Sequence, residues 1–302
     1  MPGKGEKQME TGLVLEGGAM RGMFTCGVID VFLEEGICFD AAAGISAGAV
    51  FGCNFKSRQI GRALRYNKRY CRDPRYCSIR SLIRTGDLYG ADFCYRELPD
   101  RLDPFDRKAF AANPMAFFIG AADVDSGEIV YHRCSDGGER DMLWMRASAS
   151  MPMVSRPVEV DGRRLLDGGI VDPVPYRCLE EKGLHRNVYV LTQPRGYRKK
   201  KTSGLGLIRF ALRKSPRMAE AMERRHLVYN GQMEEIDEKE RRGEILVLRP
   251  QASLGISRTE RDSAELERVY QLGRAEAKGK LLRIRRFLET GAAEPPEGRG
   301  EA

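Results

Sequence analysis

The sequence predicts an α/β fold in three layers, with a mostly parallel central sheet between helices. Short apolar runs bounded by glycine turns alternate with segments of helical periodicity through residue 193. At 302 residues, with 42% hydrophobic and 31% charged side chains, the chain has the balance of a globular protein able to bury a sizeable core.

Leu13-Val14-Leu15 reads as a strand that runs into Glu16-Gly17-Gly18-Ala19-Met20-Arg21-Gly22. From Met23 to Glu35 the apolar Val28, Ile29, Phe32 and Leu33 recur at helical spacing, giving strand, glycine loop, helix. The loop lacks the terminal Gly-Lys-Ser/Thr of a P-loop, and Ala19 stands where a dinucleotide fingerprint requires glycine. Its backbone N–H groups can still face an anion or an oxyanion. Residues 38–45 form a second strand that ends at Gly44-Ile45-Ser46-Ala47-Gly48. The G-x-S-x-G spacing describes a strained strand-to-helix turn that exposes the serine oxygen and sets the Ala47 N–H at a helix N-terminus.

Residues 49–72 read as helical, with Arg62, Arg65, Lys68 and Arg69 as a solvated basic face, and 74–104 as an irregular stretch able to cover the site as a lid. Met115 to Ala122 is a buried strand, Asp125-Ser126-Gly127 a turn, and 128–132 its hairpin partner. A short helix over 142–150 ends before Pro152. A hairpin turn at Asp161-Gly162 leads into Arg164-Leu165-Leu166 and then Asp167-Gly168-Gly169, a carboxylate followed by two glycines at a strand end. A helix around 176–182 and a strand over 188–191 complete the alternation.

Beyond Pro194 the composition shifts. Arg198-Lys199-Lys200-Lys201 is a basic run, and Leu205, Ile208 and Leu212 line one face of a helix that carries Arg209, Arg213 and Lys214 elsewhere. This reads as a surface helix packing on the domain, with a helix lying on an anionic membrane as the alternative. A charged helix over 217–241, a strand at 245–248 and a long helix over 262–288 follow. The chain therefore divides into a flexible start (1–10), a main domain (11–195), a basic and mostly helical region that packs on or extends it (196–288), and a polar, disordered tail (289–302).

The net charge of +8 favours anionic partners, and with no recognisable module for nucleic acid, none is expected to bind. The eight cysteines match neither a zinc site nor a small disulfide scaffold, as in a reducing compartment. The polar N-terminus and the absence of an apolar run of ~20 residues predict a cytoplasmic protein, with peripheral contact at an anionic membrane as a further expectation.

The glycine loop ending in Arg21-Gly22, the elbow at Ser46 and the Asp167-Gly168-Gly169 turn stand in that order, and together resemble the patatin-like phospholipase family. The resemblance covers residues 11–193 and extends to Ala147-Ser148-Ala149-Ser150-Met151-Pro152 and Val171-Asp172-Pro173-Val174-Pro175. Asp262, Leu266, Tyr270 and Gly273 fit a helix often seen near the family's end. The resemblance implies a serine acyl hydrolase of phospholipase A type. Ser46 would be the nucleophile and Asp167 its base, with no histidine, metal or organic cofactor and a lipid acyl ester as substrate. The N–H groups of Gly17, Gly18, Ala19 and Ala47 would form the oxyanion hole with Arg21 nearby, while Gly22, Gly44, Gly48, Gly168 and Gly169 support the motifs. Asp167 would need burial to raise its proton affinity. Ala19 replaces the usual glycine. An alanine resists positive φ, so the loop is expected to take a backbone suited to L-residues, keeping the hole at some cost in activity.

Two rivals carry distinct chemistry. The chain order Ser46, Asp167, His185 suits a Ser-His-Asp triad, although His185 sits in the helix-end turn Gly183-Leu184-His185-Arg186, and His132 and His226 are the only other histidines. Alternatively, the protein binds lipid or membrane without catalysis, through its basic C-terminal region. A thiol enzyme is disfavoured because no cysteine sits beside a histidine in a suitable turn.

Overall fold

A computed structural model describes residues 10–293. Eight strands form one sheet: β1 (Thr11–Leu15), β2 (Ala41–Ile45), β3 (Ala116–Asp123), β4 (Ile129–Arg133), β5 (Val158–Val160), β6 (Arg163–Asp167), β7 (Arg186–Val190) and β8 (Leu246–Leu248). Their order is β5-β6-β3-β2-β1-β7-β8, with β4 paired to β3 off this path. The run from β3 through β8 is parallel, whereas β4, β5 and β6 pair antiparallel. The helices are α1 (Met23–Glu34), α2 (Ala47–Lys56), α3 (Arg62–Tyr70), α4 (Ile79–Thr85), α5 (Arg107–Ala112), α6 (Glu139–Ser148), α7 (Tyr176–Glu180), α8 (Leu205–Ala211), α9 (Pro216–Arg241), α10 (Ser263–Gly279) and α11 (Leu281–Thr290).

The three layers follow from the period-2 alternation of fully buried strands. Leu13 and Leu15 of β1, with Phe117 and Ile119 of β3, face a core completed by α1, α2, α6 and α10. Val14, Ala43, Phe118 and Tyr189 point the other way, into a core shared with Tyr176 and Leu179 of α7 and Tyr229, Met233 and Ile236 of α9. β8 extends the sheet beside β7, and α10 crosses α1 at close range, where Tyr270 donates a 2.8 Å hydrogen bond to Asp30. An added Cβ on Gly273 would stand 2.0 Å from the Phe24 carbonyl oxygen, so the two helix backbones meet where no side chain fits.

Several sequence expectations are corrected in detail. The helix expected over 49–72 is two helices, because Gly61 (φ 72°) and Arg58 (φ 56°) turn the chain between α2 and α3. Arg62 is not solvated: it is buried and donates to Asn54 Oδ1 and the Asp103 carbonyl. The stretch 74–104 is not irregular, since it holds α4 and a π-helix over Phe93–Leu102. The expected flexible start lies almost wholly outside the described residues, as does most of the expected disordered tail, and α11 runs on to Thr290. Among the described residues no helix is long and apolar enough to cross a membrane.

Candidate active site

Strand register assembles the site. Leu15 of β1 pairs with Gly44 of β2, so the glycine loop and the serine turn leave the sheet side by side. Ile45 pairs with Gly120 of β3, and the next residue, Ala121, pairs antiparallel with Asp167 of β6. Two strands that enter from opposite directions therefore end at one point.

There the Ser46 hydroxyl donates a 2.7 Å hydrogen bond to Asp167 Oδ2. Ser46 has φ 53° and ψ −121°, a conformation that L-residues rarely adopt and that the surrounding structure must hold. Two contacts do so. The Ser46 N–H donates to the Ser148 hydroxyl (2.9 Å), which itself donates to the Gly120 carbonyl (2.6 Å). Gly48 lets α2 press onto β1, where an added Cβ would stand 2.3 Å from the Leu15 carbonyl oxygen. Ala49 and Val50 donate to the Ser46 carbonyl, and the Ala47 N–H at the helix N-terminus has no hydrogen-bond acceptor among the described residues.

Asp167 is buried, with Oδ1 accepting from the Gly169 N–H at 2.7 Å and its own N–H donating to the Ser150 carbonyl at 2.8 Å. Gly168 has no room for a side chain, since an added Cβ would lie 2.6 Å from the Gly120 carbonyl oxygen. Burial pushes the Asp167 carboxyl above its usual range, opposed by the Ser46 hydroxyl, the Arg225 charge, the Gly169 N–H and the Lys199 charge. The result is a carboxylate with more appetite for a proton than a solvated one.

The glycine loop lies over the serine, and an added Cβ on Gly17 would stand 3.1 Å from Ser46 Cβ. Its N–H groups differ in availability. Gly17 donates to the Pro173 carbonyl (3.2 Å) and Arg21 to the Gly18 carbonyl (3.1 Å), so neither has a free N–H for an oxyanion. Gly18 and Ala19 have no such bond among the described residues, and with Ala47 they are the donors left for a hole. Ala19 has φ 49°, so the loop keeps the left-handed turn despite its alanine; the expectation of an ordinary L-residue backbone there is overturned. The turn outweighs the local penalty because β1 and α1, fixed on either side, dictate it. Of the remaining motif glycines, Gly22 packs against the Phe51 ring and Gly44 against the Gly48 carbonyl.

His185 is not brought to the site. It is exposed and precedes β7 at the sheet edge where Arg186 pairs with Thr11, opposite the edge where Ser46 leaves β2. His132 is buried in a hydrogen bond with Asp141 (2.7 Å) and stacked on Trp144.

Sequence reasoning gave no role to three side chains that meet the site. Ser148 lies in a segment recognised as typical of the family, which was a usable signal. Arg225, from α9, donates through Nε to the Gly169 carbonyl at 2.7 Å. Lys199 places its ammonium 4.1 Å over the Tyr229 ring, whose hydroxyl donates to the buried Glu16. Both cations come from basic stretches that resemble solvated surface. A cleft of 630 Å³ between the π-helix and α6, walled by Asp87, Tyr95 and Arg146 among others, includes neither Ser46 nor Asp167 in its lining.

The sequence profile described as Patatin-like phospholipase matches residues 13–179. A second, described as a domain of unknown function (DUF6363), matches residues 215–289. The uncharacterized protein YjjU of Escherichia coli (strain K12) is 30% identical over 188 residues, which are 60% of this chain and 52% of that protein. The uncharacterized NTE family protein Mb1092c of Mycobacterium bovis is 29% identical over 172 residues, 57% of this chain and 46% of that one. These matches thus span about half the length of each relative. The crystal structure of VipD from Legionella pneumophila aligns with 91% of this chain and 67% of that chain, at a TM-score of 0.44 and 10% identity. With its profile matched over more than half of the residues, the chain belongs to the patatin-like phospholipase family, a family of lipid hydrolases.

Proposed function

We propose that this protein is a serine acyl hydrolase that cleaves fatty acyl esters of lipids through a Ser46–Asp167 dyad, and the observation that carries this reading is the 2.7 Å bond between the two side chains. Ser46 Oγ attacks the ester carbonyl as its proton passes to Asp167 Oδ2. The tetrahedral oxyanion is held by the N–H groups of Gly18, Ala19 and Ala47. Its collapse expels the alcohol, which takes the proton from Asp167, and leaves an acyl-enzyme on Ser46. Water, deprotonated by Asp167, attacks that ester; the second oxyanion collapses to free acid and restores the serine. No metal or organic cofactor is required for these steps.

The catalytic unit is residues 11–195, to which 196–288 adds one sheet strand and the helices α8 to α11. We place the protein in the cytoplasm, in keeping with its eight unpaired cysteines. Peripheral contact with an anionic membrane would be made by α8, whose Leu207 and Phe210 are 63% and 65% exposed beside Arg209 and Arg213.

Labelling with a fluorophosphonate ester, combined with ester turnover by His185→Ala, tests the reading. The intact protein should label and Ser46→Ala should not, while His185→Ala should retain its rate within about twofold, because that imidazole is remote from the site. An unlabelled, inactive wild-type protein would instead favour a non-catalytic lipid-binding role. A large loss in His185→Ala would restore the triad.

A further inference from the structure

We infer that Arg21, Lys199 and Arg225 form an anion-binding subsite beside the dyad, which takes a phosphate group carried by the ester substrate; the substrate assignment rests on the acyl-hydrolase reading above. The location follows from a short chain of contacts. Arg225 Nε holds the Gly169 carbonyl at 2.7 Å, the Gly169 N–H holds Asp167 Oδ1 at 2.7 Å, and Asp167 Oδ2 holds Ser46. Arg225 Nη2 lies 3.8 Å from where a Gly169 Cβ would stand. Arg21 belongs to the loop that covers the serine, and Lys199 sits against Tyr229, which is bonded to Glu16 at the base of that loop.

None of these three cations has a carboxylate partner among the described residues, and unlike the buried Lys56, whose ammonium is held by the Asn113 and Met115 carbonyls, they lie beside the dyad. Elsewhere the sheltered arginines are paired: Arg62 with Asp103, Arg249 with Asp237 and Glu240, and Arg274 with Glu34. The Arg21 Nε is buried with no hydrogen-bond acceptor among the described residues. Arg225 uses only Nε, on a carbonyl. The two nearby carboxylates are already engaged, Glu16 by the Thr192 N–H and the Tyr229 hydroxyl, Asp167 by Ser46 and Gly169.

The charges also feel one another. Burial, then Arg225, pushes the Lys199 ammonium down to about 7, with Arg21 and Arg258 adding to the repulsion and Glu16 opposing it. Burial likewise lowers Arg225, with Asp167 opposing and Arg258 and Arg21 repelling. Sheltered, unpaired and mutually repelling cations are costly unless an anion joins them. A phosphate answers all three: it carries the charge, offers several acceptor oxygens, and suits the guanidinium fork. In a glycerophospholipid the phosphate is separated from the nearer acyl ester by only a few bonds, which matches a subsite adjoining the nucleophile.

The binding arm of the test uses the full chain with Ser46→Ala, so that it is independent of turnover. Titration with inorganic phosphate and with an acylglycerol phosphate should show saturable binding to both, tighter for the lipid, and Lys199→Met should weaken each at least tenfold. The kinetic arm compares acylglycerol phosphate with the corresponding neutral monoacylglycerol. The ratio of kcat/KM values, phosphate ester over neutral ester, should fall at least tenfold in Lys199→Met and be largely restored in Lys199→Arg. An unchanged ratio, with both esters falling together, would mean that Lys199 only supports the fold and would overturn the inference. Binding of inorganic phosphate without preference for the phosphate ester would overturn the substrate assignment in favour of free phosphate as the ligand. If no ester is turned over by the wild type, the hydrolase reading fails while the binding arm still decides the subsite.

Discussion

Ser46 Oγ and Asp167 Oδ2 stand 2.7 Å apart although they are 121 positions apart in the chain, and the carboxylate's other oxygen is held by the Gly169 N–H. Asp167 is thus held at both oxygens and buried, with Oδ2 facing the serine hydroxyl.

Asp167→Asn keeps the shape and removes the base, so kcat/KM should fall by about 10²–10⁴-fold. Because burial raises the carboxyl, the acid limb of the rate profile should lie above the ~3.9 of a solvated aspartate. The sign is that activity is lost as pH falls through the raised value, where Asp167 takes up a proton and can no longer receive one from Ser46. A kcat/KM profile that stays flat through the acid range, or an asparagine variant of near-normal rate, would exclude Asp167 as the base.

At Ala19 the loop holds an L-residue at φ 49°, a conformation that costs roughly 1–2 kcal/mol per residue. Ala19→Gly removes that penalty but adds freedom to the unfolded chain, so stability should change by less than ~1 kcal/mol with the oxyanion donors kept. Ala19→Val puts a β-branched side chain where it fits poorly, and should lower both the denaturation midpoint and turnover. Chemical unfolding curves and ester hydrolysis rates on the two variants check this; equal behaviour of valine and glycine would show that the loop relaxes freely.

Ser148→Ala strips the Ser46 N–H of its acceptor and the Gly120 carbonyl of its donor. Each buried polar group left unsatisfied costs about 1–3 kcal/mol. The thermal midpoint should drop, and kcat should fall more than KM rises, since the serine turn loses its anchor rather than its substrate contacts. A variant with wild-type kcat would show that the elbow is held by Gly48 and the sheet alone.

On α8, replacing Leu207 and Phe210 together by aspartate removes the exposed apolar pair without touching the dyad. Co-sedimentation with phosphatidylglycerol vesicles should decrease several-fold, while hydrolysis of a short-chain soluble ester stays near the wild-type rate. Undiminished vesicle binding would place the membrane contact elsewhere.

The sequence by itself determined the fold class and the strand-loop-helix units, and it singled out Ser46, Asp167 and most of the glycines as candidates. Those features rest on local rules: periodicity over a few residues, and turns that only certain residues tolerate. Tertiary structure decided what depends on distant partners. Which N–H groups of the glycine loop are free turns on Pro173, from another part of the chain, accepting from Gly17. The burial of Arg62 turns on a loop at Asp103 and the side chain of Asn54. The exclusion of His185 turns on the edge of the sheet at which β7 begins. Lys199 and Arg225 carry no local signature that separates them from surface residues, and Ser148 is marked only by the family-like segment it lies in. They meet the dyad because α6 ends beside β3 and α9 packs across the sheet, and no spacing in the sequence encodes that neighbourhood.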